Sequence, residues 1–203
     1  MRRLLALTAA IAAAAGCASA PAEAGAQTQP TGAAQQPSLI PAGLGTLRQD
    51  EVTVQIRSGA LLIKATPLDE GVIRLLAPDT YDRLHALADS RRAEAARQAN
   101  AEAPELFLVS FFSYQPDVAF QPEDLQVTYQ GRILRAAAIL PVTGGFGRQR
   151  LAQQESQSAI YAFDERIDYA QPFVVRYGFD QSDEWLRILP KLEVERAKVR
   201  ARG

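Results

Sequence analysis

The chain has 203 residues, with 22 Lys and Arg against 23 Asp and Glu, one histidine and one cysteine, for a formal net charge of −1. No basic field covers the whole chain, which argues against nucleic acid as a partner. One cysteine cannot form an internal disulfide, and with a single histidine it cannot supply the usual zinc ligands; stability must come from core burial, and no metal or other cofactor is expected.

Arg2 and Arg3 form a basic opening, followed by an apolar run from Leu4 to Ala15 and then Gly16-Cys17. Such a run fits the apolar core of a secretory signal and falls short of the ~20 residues that span a bilayer. With Ala14-Ala15-Gly16-Cys17 at the lipobox position, residues 1–17 resemble a bacterial lipoprotein precursor. The resemblance implies that residues 1–16 are a signal peptide, that Cys17 receives a diacylglycerol thioether, and that its freed amine is acylated. It implies export and lipid anchoring to the bacterial envelope. Ala18, where an Asp would signal retention, points to the outer membrane, facing the periplasm. Each buried CH₂ adds ~0.8 kcal/mol to such an anchor, so several acyl chains hold permanently. The competing reading is an ordinary cut after Ala18-Ser19-Ala20, which Pro21 beside the cut disfavours. Removing residues 1–16 would move the charge to about −3.

From Cys17 to residue 47 the chain is rich in Ala, Gln, Pro, Gly and Thr, and Glu23 is its one charge. It cannot bury enough apolar surface to offset its ordering entropy, and reads as a flexible linker with a reach of roughly 30 Å. Residues 48–203 then form a single domain.

Val52, Val54 and Ile56 alternate with polar residues as a half-buried strand. Ser58-Gly59 turns the chain into Leu61-Leu62-Ile63, and Glu70-Gly71 turns it again before Val72 to Leu76. A helix is expected over about 79–100, with Asp79 as N-cap and Tyr81, Leu84, His85 and Ala88 on one face. Leu106 to Phe112 suits a central strand buried on both faces. Further strands are expected at 125–129, 133–139, 158–163 and 173–179. Pro190 splits the C-terminus into a short strand at 185–189 and a short helix at 190–200. Short strands at this spacing predict a mainly β fold, a β-sandwich of immunoglobulin-like architecture with one inserted helix.

Few groups carry chemistry. His85 shares its apolar helix face with Tyr81, which predicts a structural role, either a Tyr81–His85 stack or a buried hydrogen bond. The Gly144-Gly145-Phe146-Gly147 stretch lacks the G-x-G-x-x-G spacing and reads as a loop. Arg148 and Arg150 beside it are the candidate anion-binding pair. Phe111, Phe112, Tyr114 and Phe120 are expected in the core. Lys191, Arg196, Lys198, Arg200 and Arg202 form a basic tail, expected as a solvated helix face. The acidic groups at Asp164-Glu165-Asp168 and Asp180-Asp183-Glu184 lack calcium-loop spacing, and no catalytic or metal site is expected.

The leading expectation is a non-enzymatic binding or assembly β-domain on an envelope lipoprotein, held to the membrane through its lipid. Its partner would be another envelope protein or polymer, bound at a strand edge or at the helix-covered sheet face. The alternative is a periplasmic glycan or peptide hydrolase, in which two of Asp164, Asp168, Asp180 and Asp183 converge in a cleft with raised pKa.

Overall fold

The computed structural model describes residues 40–202. Cys17, the signal region and most of the expected linker therefore lie outside the described residues. In chain order the elements are β1 (Val54–Ser58), β2 (Leu61–Pro67), α1 (Glu70–Ile73), α2 (Pro78–Ala99), β3 (Glu105–Ser113), β4 (Val118–Ala119), β5 (Leu125–Tyr129), β6 (Arg132–Arg135), β7 (Ala138–Pro141), β8 (Arg150–Leu151), β9 (Ser156–Phe163), β10 (Phe173–Tyr177), β11 (Asp180–Ser182) and α3 (Trp185–Arg202). One sheet has the order β1-β2-β3-β9-β7, a second β11-β10-β5-β6, and β4 pairs with β8. Every one of these strand pairs is antiparallel. The fold is mainly β and ends in a C-terminal helix.

The apolar run beginning at Leu106 becomes β3, the middle strand of the larger sheet. Consecutive residues Leu106 to Val109 are buried, as are Ala159 to Phe163 of β9. Burial of successive residues requires cover on both faces. On one face, Phe107 and Phe111 of β3 meet Phe173 and Tyr177 of β10 at ring separations of 5.9 and 5.8 Å. Phe120 stacks on Phe111 at 4.5 Å, and Phe173 stacks on Trp185 at 4.6 Å. Such aromatic pairs each contribute ~1 kcal/mol beyond the area they bury. The opposite side is covered by α2, which lies against β7 and β9. Phe146, within the glycine stretch, is buried against Phe111 and Phe120, so that stretch anchors a core side chain.

The hairpin β5–β6 turns through Gln130-Gly131, both at positive φ (49° and 78°). That geometry gives the type I′ turn matching strand twist. The expected strand over 133–139 is divided between β6 and β7, which belong to different sheets.

Several expectations are corrected. Tyr114, expected in the core, is exposed. Val72 to Leu76 do not form a strand; Glu70–Ile73 is a helical turn, α1. Val72, Ile73, Leu75 and Leu76 are all fully buried, so the run shows no period, and a short apolar run without period fits helix or strand equally. The N-cap of α2 is Ala77, with Pro78 at the first helical position, and Asp79 lies in the first turn. The C-terminus is one continuous helix through Pro190. Its buried residues Trp185, Ile188, Leu192, Glu195 and Val199 recur at helical spacing. Proline removes the amide that would bond the Leu186 carbonyl. Leu186 is exposed, so water can serve that carbonyl, and burial of the opposite stripe outweighs the lost bond.

Residues 40–47, expected within the linker, are part of the packed structure. Ile40 is buried, and Leu47 donates to the Leu75 carbonyl and accepts from Ala77 N. A Cβ on Gly45 would lie 2.2 Å from the Leu75 carbonyl, so only glycine fits this close approach. The backbone N–H and hydroxyl of Thr46 donate to Glu195 Oε1 at 2.9 and 2.7 Å. Arg202 donates to the Leu44 carbonyl. Part of the basic tail is thus a fastener for this segment.

Candidate functional site

A polar cleft opens where β2 ends and β3 begins. Pro67 pairs with Phe107 across the two strands, and Leu68 N donates to the Leu106 carbonyl at 2.8 Å. Continuing this antiparallel register sets Asp69 beside Glu105. A cleft of about 220 Å³ is lined by both, with Glu70, Pro104, Arg92 of α2 and Arg166 of the β9–β10 loop.

The two acids differ from the third. Asp69 Oδ1 accepts from Gly71 N at 2.8 Å and so caps α1. Burial raises its pKa, the amides of Gly71 and Val72 pull back, and the neighbouring Glu70 charge adds to the rise. Glu105 is also held above the ordinary carboxyl range, first by burial and then by repulsion from Asp69; Tyr169, Arg166 and the Ile167 amide oppose this without reversing it. Its side chain is 15% exposed, and Arg166 Nε stands 4.0 Å away, at the limit of an ion pair. Behind it lies Tyr169, 6% exposed, whose hydroxyl comes near Glu105 without a hydrogen bond of ordinary geometry among the described residues. Burial keeps that phenol protonated, its pKa well above the usual value.

Glu70 is instead saturated. It accepts from Arg74 Nε at 2.6 Å and contacts His85 Nδ1 at 2.6 Å. Burial alone would raise it, but these two hydrogen bonds outweigh that cost and place it below its ordinary value. Tyr81 stacks on His85 with ring centres 5.2 Å apart, as the sequence spacing predicts. His85 therefore helps to fix Glu70 and the short helix α1 against α2.

Arg148 and Arg150 lie away from the cleft and are engaged by carboxylates. Arg148 donates to Glu155 at 3.0 Å. Arg150 forks onto both oxygens of Asp117 at 2.7 and 2.6 Å. Neither Asp164, Asp168, Asp180 nor Asp183 lines the cleft. Asp168 caps the loop at Ala170 N, 2.9 Å away, and Asp180 sits in the β10–β11 hairpin.

The sequence reading missed Asp69 and Glu105, which meet only through the β2–β3 register. One signal was available: each acid directly adjoins a buried apolar strand, where a carboxylate is costly. Among the described residues, no three of His, Cys, Asp and Glu converge as a metal site. Chemically, the cleft lining offers two carboxyl groups and two guanidinium groups. Compared with family models, with curated proteins and with solved structures, the chain matches none.

Proposed function

We propose that this chain is an exported, lipid-anchored binding domain of the bacterial envelope, tethered through Cys17, and that the Asp69–Glu105 cleft is its ligand seat. The observation that carries the reading is the pair of neighbouring, partly buried carboxyls, both held above their ordinary pKa. Such a pair lowers stability, and strained polar groups of this kind concentrate at functional sites. The lipobox resemblance of residues 1–17 supports export, an outer-membrane location facing the periplasm and a partner among envelope proteins or polymers.

Two sheets facing each other through Phe107, Phe111, Phe173 and Tyr177 support reading the architecture as a β-sandwich. Its strand order is its own: β1, β2 and β3 are neighbours in one sheet, whereas immunoglobulin domains send the third strand to the opposite sheet. The sheet edges favour the cleft over strand addition. On edge strand β1, Gln55 N is taken by Glu184 Oε2 at 2.9 Å. Edge strand β6 is short and carries Arg132 and Arg135, and β7 ends in Pro141. Charges, proline and short length are the usual guards against edge pairing.

Crosslinking of the native lipoprotein in cells tests the reading. A stoichiometric envelope component should be captured by the parent and lost with the double variant D69N/E105Q. Equal capture by both, or an unacylated N-terminus by mass spectrometry, would contradict it. The raised carboxyl pair also favours a second reading as a hydrolase using Asp69 and Glu105 as acid and base. That reading requires turnover of envelope glycan or peptide that disappears in E105Q.

A further inference from the structure

The walls of the cleft also specify the chemistry of the ligand, an inference that rests on the binding reading above. Glu70 is already engaged by Arg74 and His85, which leaves Asp69 and Glu105 as the acids available to a solute. Asp69 uses one oxygen to cap Gly71. Among the described residues, the one ion-pair partner of Glu105 is Arg166, 4.0 Å away. On the same lining, Arg166 is almost fully exposed, and Arg92 is an exposed residue of α2. Tyr169, more than nine-tenths buried, stands behind Glu105, with its hydroxyl near that carboxyl but in no hydrogen bond of ordinary geometry among the described residues. From there it favours the charged form of Glu105.

An ammonium group presents three donors and a positive charge. Set between the two carboxyls, it would cancel their repulsion. A carboxylate or similar anion suits the planar fork of arginine. A volume of about 220 Å³ lies below the drug-sized range of roughly 300–1,000 Å³ and suits a solute of amino-acid size.

We infer that the cleft seats a small zwitterion, its ammonium group on Asp69 and Glu105 and its anionic group on Arg92 and Arg166. A free amino acid and the zwitterionic head of a polymer side chain share this chemistry. The ammonium charge favours the ionised form of both carboxyls.

Isothermal titration of the full-length chain with L- and D-alanine, N-acetylalanine and alanine methyl ester tests the assignment, with glucose as the uncharged control. Alanine of at least one hand should bind saturably, and N-acetylalanine and the methyl ester at least tenfold more weakly. E105Q and, at exposed position 92, R92A should each weaken binding at least tenfold, and R92A leaves the buried acids intact. A matching affinity for either blocked analogue, unchanged binding in both variants, or no saturable binding of alanine would overturn the inference. If glucose alone saturates the cleft and E105Q abolishes it, the zwitterion assignment falls while the binding reading stands. Sources are separated by repeating the titration with envelope polymer before and after chemical blocking of its amines; binding that survives blocking would also overturn the assignment.

Discussion

Glu105 and Glu195 show how burial and partners set opposite signs on the same side chain. Glu195 is 1% exposed, yet Thr46 and Lys198 outweigh its burial and hold its pKa below the ordinary value. A depressed carboxyl contributes stability above its unfolded pKa, about 4.3, which is lost as pH falls through the folded value. Glu195→Gln should therefore destabilise the protein at pH 7 by roughly 1–3 kcal/mol, with the deficit narrowing in acid; denaturant melts at pH 7 and at pH 3 would show it. Glu105 works the other way. With its folded pKa raised, its contribution is fully present below the unfolded value and is lost as pH rises through the folded one. Glu105→Gln cannot carry the costly charge, so it should raise Tm at pH 7, and the gain should fade towards pH 4. A loss of Tm at pH 7 would mean that Glu105 is a structural carboxylate.

At the scale of elements, periodicity was readable wherever one face alone was buried. The stripe Tyr81, Leu84, His85 and Ala88 located α2 closely, and the aromatic run marked β3 as a central strand. Where burial is complete on all sides, as at Val72 to Leu76, the pattern carries no period and α1 was hidden. In α3 a local rule lost to a tertiary one: Pro190 signals a break, but Trp185, Ile188, Leu192 and Val199 are all buried and hold the helix together. Replacing this exposed proline removes the ring clash and restores an amide. Pro190→Ala should stabilise the protein by about 1–3 kcal/mol, read from the denaturant midpoint at constant slope. Destabilisation would show that α3 depends on a kink at this residue.

For the whole molecule, the sequence indicated a mainly β fold with a covered central strand, but not the cleft. Asp69 and Glu105 are far apart along the chain, and only strand register brings them together. Long-range pairing of this kind leaves no local trace beyond two acids abutting apolar strands. The same long-range logic draws residues 40–47 into the fold, because their partners Leu75, Glu195 and Arg202 belong to later elements. The proposed role joins these levels: a lipid tether at Cys17 would hold a β-domain outside the cytosol, with two destabilising carboxyls reserved for a ligand. A carboxyl ¹³C NMR titration of Asp69 and Glu105 in the full-length chain tests that claim most directly. Both resonances should titrate above the ordinary range for their side chains, and finding both at or below it would contradict the account.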